Sequence, residues 1–227
     1  MKVSVLMPYW ERRAATRATL KGFNALYDPE EVEVILVDDG SPTQPWEDES
    51  IYPNLKVIRL PEKTVAKCPT LPLNVAREHA SHDVLAISFP ECRHIDQTLK
   101  HMWEVLKDER EVVSARVWCE TLKIWLASEF FFNPSQEIPP GTALNFCVMM
   151  HASLWDEVGG FDEDYRDGQA FDDNDFLRRI LRVGGRYSFA QGARANHTRG
   201  GGATSEWPAG AWARNRAIFL SKWPTRT

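Results

Sequence analysis

The stretch Val34-Ile-Leu-Val-Asp-Asp-Gly-Ser-Pro42 decides how the rest of this sequence is interpreted. Its apolar run is rich in β-branched residues, which is typical of a strand buried on both faces of a parallel sheet. The run ends in two adjacent carboxylates, Asp38 and Asp39, followed by a Gly-Ser-Pro turn. Ligands of open α/β sheets bind at the carboxyl ends of strands, so these two acids are predicted to bind a ligand. Because neighbouring carboxylates repel each other, they are expected to meet a hydrogen-bond donor or a cation.

Strands and helices alternate on both sides of this stretch. Strands are predicted at 2–8, 34–37, 55–60, 83–89, 112–119, 145–151 and 186–191, and helices at 10–26, 71–80, 176–183 and 212–223, with another helix capped by Asp96. The alternation predicts an α/β fold, with a mostly parallel, twisted sheet and helices on both faces. No linker or repeat separates the halves, so a single domain over 1–227 is expected.

The bulk properties narrow the function classes. The net charge of −5 does not favour a protein dedicated to nucleic acid, which is usually basic. The first predicted strand starts at residue 2, so no signal peptide is expected, and no apolar run reaches the roughly 20 residues of a membrane helix. The four scattered cysteines indicate reduced thiols rather than a disulfide framework or a zinc site. Together these features predict a cytoplasmic protein without a transmembrane segment.

A cluster of acids precedes the helix predicted at 176–183. The stretch Phe171-Asp-Asp-Asn-Asp-Phe176 follows Val158-Gly-Gly-Phe-Asp-Glu-Asp-Tyr165 in the chain. Helix capping needs one Asp, whereas three stand here, so a catalytic use is indicated. Mutual repulsion raises the pKa of clustered carboxyls, and a helix N-terminus opposes that effect.

Taken in order along nearly the whole chain, these motifs resemble the family 2 glycosyltransferases, which have the GT-A (Rossmann-like) fold. The resemblance implies a nucleotide-sugar-binding half at 1–95 and an acceptor-binding half at 96–227. In the family, the turn after the first strand cradles the base, and an acid after the next strand accepts a hydrogen bond from the base or ribose. The nucleotide-binding residues implied in this way are Pro8, Tyr9, Glu11, Asp38, Asp39, Asn74 and Arg77.

The family usually ends a later strand in Asp-x-Asp, whose carboxylates hold a divalent cation against the diphosphate. Here Phe89-Pro90-Glu91 stands at that place, so only Glu91 remains. The resemblance implies His197 as a further ligand, and hard oxygen ligands with an imidazole suit Mn²⁺ or Mg²⁺. Arg199 and the glycines after it are expected to act as a lid over the diphosphate.

On the acceptor side, the resemblance implies Asp173 as the catalytic base, with Asp172 at the position of the family's Glu. Gly160, Phe161 and Asp162 match the family's Gly-Gly-Phe-Asp block, and Trp207 offers a flat face to a sugar ring. The implied reaction is an inverting transfer from a nucleotide-diphosphate sugar, with UDP as the expected nucleotide, to the hydroxyl group of a glycan or other acceptor.

Other interpretations stay open. A catalytically inactive family member that binds sugar nucleotides or glycans would explain the altered Asp-x-Asp. Modified DNA or a nucleotide is an alternative acceptor, although the acidic composition weighs against it. A nucleotidyltransferase should carry a Gly-rich phosphate loop, which Pro8 to Arg12 is not. In phosphorelay receivers the acid pair follows the first strand, whereas here it follows the second.

Overall fold

The computed structural model of the protein describes residues 1–63, 68–127, 145–198 and 208–224. The strands in these ranges are β1 (Val3–Tyr9), β2 (Val32–Asp38), β3 (Leu55–Arg59), β4 (Val84–Ser88), β5 (Cys92–His94), β6 (Glu111–Cys119), β7 (Ile124–Ala127), β8 (Cys147–His151) and β9 (Arg186–His197). The helices are α1 (Arg13–Leu26), α2 (Thr70–Glu78), α3 (Thr98–Val105), α4 (Ala152–Val158), α5 (Asp172–Arg182) and α6 (Ala211–Lys222).

The first half of the chain forms a parallel sheet in the order β3-β2-β1-β4. Tyr9 pairs with Asp38 at the ends of β1 and β2, and Leu6 pairs with Ile87 between β1 and β4. Every residue of β1 and β4 is buried, as expected of central parallel strands. The predicted Rossmann-like α/β arrangement is confirmed.

The second half extends the same sheet. β8 joins β4 antiparallel, β6 joins β8 antiparallel, and β9 lies parallel to β6. The described part of the chain therefore forms one nine-stranded sheet, with β5 and β7 at its margin. Because β4, β6 and β9 point the same way, their carboxyl ends lie at the edge where β1 and β2 also end.

Alternate residues of the strands pack into two hydrophobic cores, one on each face of the sheet. On one face, Val5 and Met7 of β1 share a core with Phe23 of α1 and Met102 of α3. On the other face, Leu6 of β1 shares a core with residues of the remaining packed helices, among them Leu73, Trp155, Phe176 and Ile180. The period-two pattern of the strands therefore places helices on both faces, as predicted.

Several element boundaries differ from the prediction. α1 starts at Arg13 rather than at residue 10, because Glu11 has a left-handed backbone with φ 55°. The N-cap of α3 is Gln97, one residue after Asp96. α5 begins at Asp172, so the acid cluster lies in its first turn. The short elements β5, β7 and α4 were not predicted, since three to seven residues carry little periodicity.

Among the described residues, no helix combines the length and the apolar character needed to cross a membrane.

Candidate functional site

Some of the predicted site residues lie at the carboxyl edge of the parallel strands. Asp38 ends β2, and Glu91 follows β4 by three residues. His197 ends β9, whose neighbour β6 runs parallel to β4. Asp173 is brought to this edge by Asn145, which lies just before β8 and donates a hydrogen bond of 3.1 Å to Oδ1 of Asp173. Residues far apart in sequence therefore line one edge of the sheet.

Asp38 is completely buried and holds the turn that follows β2. Its Oδ1 accepts from the backbone N–H of Ser41 at 2.9 Å, and its Oδ2 accepts from the backbone N–H of Trp46 at 3.1 Å. The guanidinium of Arg59 on β3 lies 3.5 Å from Oδ2. Both oxygens are thus occupied within the protein, and the donors predicted to relieve the Asp38–Asp39 repulsion are present.

Asp39 forms an ion pair with Lys63. Its backbone N–H donates to the carbonyl of Tyr9 at 2.8 Å, which ties the ends of β1 and β2 together. The segment containing Lys63 lies directly on Gly40, because a Cβ atom at Gly40 would come within 2.1 Å of the Pro61 carbonyl oxygen. A cation is therefore fixed beside the acid predicted to read the base or ribose.

The turn after β1 is held closed by Glu11. Its carboxylate accepts from the backbone N–H groups of Thr43 and Gln44 at 2.8 and 2.9 Å, and also from the Thr43 hydroxyl. Burial alone would raise the pKa of Glu11, but these hydrogen bonds and the charge of Arg13 outweigh burial and lower it. Glu11 therefore shapes the turn by binding the 43–44 backbone.

Tyr9 lies in the interior, although it was expected to contact the base. Its hydroxyl donates to the carbonyl of Gln44, its ring packs edge-on against Trp46 at 5.7 Å, and only 1% of it is exposed. Pro8 is also buried within β1. The half-buried aromatic residue of this turn is Trp10, which sequence reasoning did not single out. Its indole Nε1 is buried without a hydrogen-bond partner in the described part of the chain.

Glu91 and His197 lie next to each other. Glu91 Oε1 lies 3.6 Å from His197 Nε2 and 3.6 Å from the Arg12 guanidinium. Burial acts to raise the pKa of Glu91, but its contacts with His197 and Arg12 outweigh burial and lower the pKa. The turn before Glu91 is anchored by the Thr19 hydroxyl, which donates to the Pro90 carbonyl at 2.7 Å.

The chemistry of this pair fits a divalent cation. Glu91 Oε2 and His197 Nδ1 are buried and have no hydrogen-bond partner among the described residues, which is costly unless a ligand satisfies them. One carboxylate and one imidazole are two ligands, and no group of three potential ligands occurs in the described ranges. An ion held here would need the oxygens of a diphosphate and water, which Mn²⁺ and Mg²⁺ accept.

Asp173 lies in an environment that favours its protonated form. Burial and the charge of Asp172 raise the pKa of Asp173 well above its ordinary value, and the hydrogen bonds from Asn145 only partly offset this. Burial also raises the pKa of Asp172, whose Oδ1 accepts from the Cys68 thiol at 3.4 Å. Asn145 and Cys68 were not singled out from sequence.

The backbone entering α5 is strained. Ala170 and Phe171 both have left-handed conformations, with φ of 62° and 69°. Each such non-glycine residue costs of order 1 kcal/mol or more and persists only where surrounding contacts enforce it. Here Asn215 of α6 provides those contacts, since its amide donates to the carbonyls of Tyr165 and Ala170 at 2.9 Å. α6 therefore helps to fix the direction in which α5 presents Asp173.

The third acid of the cluster, Asp175, has a structural role. It forms an ion pair with Arg179 at 2.8 Å and accepts from the Trp223 indole at 2.8 Å. It is 1% exposed. Asp175 thus joins α5 to the end of α6.

The Gly-Gly-Phe-Asp block serves packing in this structure. Asn74 of α2 accepts from the backbone N–H of Phe161 at 2.9 Å and donates to its carbonyl at 2.8 Å. The Phe161 ring is 2% exposed and stacks on Phe176 at 4.3 Å. Gly160 leaves no room for a side chain beside Asn74, and Asp162 forms an ion pair with Lys222.

Of the remaining predicted residues, Arg77 is the one that the structure describes. Arg77 donates two hydrogen bonds to Asp156, at 3.0 and 2.6 Å, and so ties α2 to α4. Arg199 and Trp207 lie outside the described residues. The side chains of Asn74, Arg77 and Phe161 are therefore occupied by contacts within the protein rather than open to a nucleotide or acceptor.

Comparisons with known proteins agree with this architecture. The sequence profile of glycosyl transferase family 2 matches residues 4–130. No curated protein sequence matches the chain.

Solved structures with the same fold include residues 1–349 of S. aureus TarS in complex with UDP. That structure has a TM-score of 0.70 and 20% identity, over 87% of this chain and 60% of the TarS chain. The same TarS region in complex with UDP-GlcNAc has a TM-score of 0.68 and 18% identity, over 89% of this chain and 60% of that one.

A third structure is the mannosyltransferase PcManGT from Pyrobaculum calidifontis in complex with GDP-Man and Mn²⁺. It has a TM-score of 0.64 and 19% identity, over 96% of this chain and 61% of that one. The chain spans about three fifths of the length of these structures, and at such identities the likeness shows the fold.

Proposed function

Because the chain belongs to glycosyl transferase family 2, we propose that it transfers a sugar from a nucleotide-diphosphate sugar to the hydroxyl group of an acceptor. The observation that carries this proposal is the arrangement at the sheet edge. Glu91 Oε1 and His197 Nε2 lie 3.6 Å apart, and each side chain has a second buried polar atom, Oε2 and Nδ1, without a partner among the described residues. Asp173, with its raised pKa, lies at the same edge.

The two groups are linked by direct contacts. The ring of Phe146 packs on His197 with centroids 5.0 Å apart, and the neighbouring Asn145 donates to Asp173. The Phe146 carbonyl also accepts from the backbone N–H of Phe89, two residues before Glu91. A donor diphosphate beside Glu91 would therefore lie close to the base.

The donor base and ribose are assigned to the ends of β1 and β2. Asp39 with Lys63 offers an acceptor and a donor side by side, and Trp10, directly after β1, offers a half-buried aromatic ring. Glu11 and Asp38 support this pocket by holding the 41–46 backbone. We assign UDP as the nucleotide, in line with the UDP complexes of TarS.

Glu91 and His197 would hold Mn²⁺ or Mg²⁺ together with diphosphate oxygens. A bound cation of this kind neutralises charge on a leaving diphosphate. Arg12 lies beside Glu91 and supplies a fixed positive charge at the same place. The first acid of Asp-x-Asp is missing here, and a histidine, His197, and an arginine, Arg12, lie beside the remaining acid, Glu91.

The reaction is a single displacement with inversion. Asp173 takes the proton of the acceptor hydroxyl as its oxygen bonds to the anomeric carbon, and the carbon–oxygen bond to the diphosphate breaks. A carboxylate with a raised pKa binds the proton more strongly than an ordinary Asp, which favours this step. Asn145 holds the carboxylate in position.

A thermal-shift panel of UDP, UDP-sugars and GDP-sugars, each with and without Mn²⁺, tests the donor site. A nucleotide present at about 100 times its Kd stabilises the fold by about 2.7 kcal/mol, which is a rise in Tm of several degrees. We expect this rise for UDP compounds with Mn²⁺. No rise with any nucleotide diphosphate would overturn the assignment.

The variant Glu91→Gln separates the metal site from the rest of the pocket. It keeps the shape of the side chain and removes the charge, so the Mn²⁺-dependent part of the rise should disappear. The matched control is Glu157→Gln on α4, which removes one charge from an exposed ion pair with Arg110. A Mn²⁺ effect that survives in Glu91→Gln contradicts the proposed ligand.

A further inference from the structure

The described arginines of the protein fall into three groups. In the described ranges, most arginines have an acid within ion-pair distance, for example Arg17 with Asp48 at 2.7 Å and Arg186 with Asp108 at 2.8 Å. Others bond to other groups, such as Arg214 to a backbone carbonyl at 2.8 Å. Three described arginines have neither an ion pair nor a hydrogen bond within the described part of the chain, and all three lie on α5 and α6: Arg178, Arg182 and Arg216.

Each of these arginines lies over an aromatic ring. Arg178 is 4.8 Å from the centre of the Phe219 ring and 5.4 Å from that of Trp223. Arg182 is 4.4 Å from the Trp223 ring. Arg216 is 5.8 Å from the Trp212 ring on the preceding turn of α6. We call these six residues the arginine–aromatic surface: Arg178, Arg182, Trp212, Arg216, Phe219 and Trp223.

This surface is continuous with the proposed catalytic loop. Phe171, two residues before Asp173, packs against Trp212 and Phe219, with ring centres 5.4 Å apart in both contacts. Arg182 lies nine residues beyond Asp173 on α5, about 14 Å along the helix axis at 1.5 Å per residue. With 3.6 residues per turn, Arg178 and Arg182 lie on a different face of α5 from Asp173, so the surface approaches the base through the loop at Phe171.

The chemistry of the surface fits an anionic ligand. A guanidinium has five N–H donors, and a cation–π contact uses only its face, so the donors at its edge remain available. The rings hold the guanidinium groups in place, which reduces the entropy lost when a ligand binds. Trp212 is 49% exposed and presents its ring at the surface. Three arginines without acidic partners among the described residues therefore lie together, in a chain whose net charge is −5.

A sugar chain suits this surface better than a nucleic acid. Proteins that bind single-stranded nucleic acid use successive exposed aromatic rings in a broadly basic groove. Of the three rings on this surface, Trp212 is exposed, Trp223 is half-buried and Phe219 is buried, and the chain as a whole is acidic. One exposed ring with a row of guanidinium groups matches a sugar ring followed by acidic substituents.

We propose that the arginine–aromatic surface binds an acidic glycan, a sugar chain bearing carboxylate or phosphate groups, as the acceptor of the transfer. This inference rests on the proposed function, because it assigns a substrate class to the same reaction. The chain of the acceptor lies along α5 and α6, and its terminal hydroxyl reaches Asp173 past Phe171.

Binding of fluorescently labelled acidic oligosaccharides tests the proposal. The probes are oligogalacturonate for carboxylate, a phosphorylated mannan oligosaccharide for phosphate, a neutral dextran oligosaccharide and oligo-dT, each titrated into the protein and followed by anisotropy. We expect binding of at least one acidic glycan, weaker binding of the others, and a loss of affinity as salt rises from about 0.05 to 0.5 M. Equal affinity for dextran, or tighter binding of oligo-dT, overturns the proposal.

Charge-removal variants locate the binding surface. The triple variant Arg178→Gln, Arg182→Gln and Arg216→Gln should weaken the acidic probe roughly tenfold, from three exposed charge contacts. The matched control, Arg17→Gln, Arg110→Gln and Arg186→Gln, removes three charges from exposed ion pairs elsewhere and should leave the affinity unchanged. Trp212→Ala, which removes an exposed ring, gives a second variant with little risk to folding. Equal affinity in the triple variant and its control overturns the proposal.

The donor site is measured in the same samples. A UDP thermal shift that persists in the triple variant shows that the donor site is intact. Suppose that transfer occurs, but that acidic and neutral acceptors are used at equal rates both in the triple variant of the surface and in its control. The acceptor class is then wrong, and the proposed function stands. If the acidic probe binds at this surface but no nucleotide sugar is ever used, the proposed function fails and the surface remains a glycan-binding site.

Discussion

Asp173 shows how the position of one residue gives it its proposed chemistry. Sequence alone left the direction of its pKa shift open, because like charges and a helix N-terminus act in opposite directions. In the structure, burial and the charge of Asp172 prevail, and the pKa of Asp173 is raised. The contacts that partly offset these effects come from residues distant in sequence. Asn145 lies 28 residues away and Cys68 lies 104 residues from Asp172.

The raised pKa predicts that Asp173→Asn stabilises the protein at neutral pH. The folded state binds the Asp173 proton more tightly than the unfolded state does, so stability is greatest below the unfolded pKa of about 3.9. This contribution to stability is lost as the pH rises through the pKa of Asp173 in the folded state. A neutral Asn avoids this loss, so its advantage in unfolding free energy should be present at pH 8 and vanish near pH 4.

Urea denaturation of both proteins across this pH range checks the prediction. Glu78→Gln, at an exposed position of α2, serves as the control and should track the wild type. An Asp173→Asn variant that is less stable than the wild type at pH 8 would contradict the pKa direction.

Local sequence patterns predicted the long elements and missed the short ones. The strands β1, β2 and β4 could be predicted from their buried apolar runs, because an apolar stretch of this length that ends in a turn signal is typical of a buried strand. β9 continues six residues past its predicted end at Gln191. The signal was obscured by Gly192, where a Cβ atom would lie 3.2 Å from Nδ1 of His101 on α3. That close approach is a tertiary contact, and sequence periodicity does not report it.

The candidate site, like the fold, was predicted only in part from the sequence. Asp38 and Asp39 were predicted because they stand at a strand end, where the fold class itself implies a function. Glu91 and His197 were predicted from the resemblance to the family. Arg12, Lys63 and Asn145 were missed because their roles depend on which side chain they meet. Asn145 did carry a signal, as a polar residue at the start of a predicted strand.

The turn after β2 should depend on the close contact at Gly40. Gly40→Ala would place a Cβ atom 2.1 Å from a backbone oxygen at φ 77°, whereas Gly159→Ala has almost the same φ, 75°, with nothing within 4 Å. Alanine in this conformation costs about 1 kcal/mol by itself. We therefore expect about 1 kcal/mol for Gly159→Ala and clearly more for Gly40→Ala, with weaker UDP binding only in the latter.

Unfolding free energies from urea titration, with calorimetric UDP binding, compare the two variants directly. Equal losses of stability would mean that the 60–63 segment does not press on the turn, and the donor pocket would then need another support.

At the scale of the whole molecule, the sheet brings distant residues to one edge. Three parallel strands supply the donor side, the antiparallel β8 leads from Asn145, and β9 returns His197 beside Glu91. α6 closes the arrangement, because Asn215 and Trp223 tie it to the loop before α5 and to Asp175. The central claim is that this edge is one active site, with donor groups and base in contact range.

The most direct test is the pH dependence of nucleotide release from a UDP-sugar, measured for the wild type and for Asp173→Asn. The rate of the wild type should rise with pH to a plateau, with an apparent pKa above that of an ordinary Asp, as the base loses its proton. Asp173→Asn should still bind UDP, release it about 10² to 10⁴ times more slowly, and show no such rise. Equal rates and equal pH profiles in the two proteins would contradict the claim.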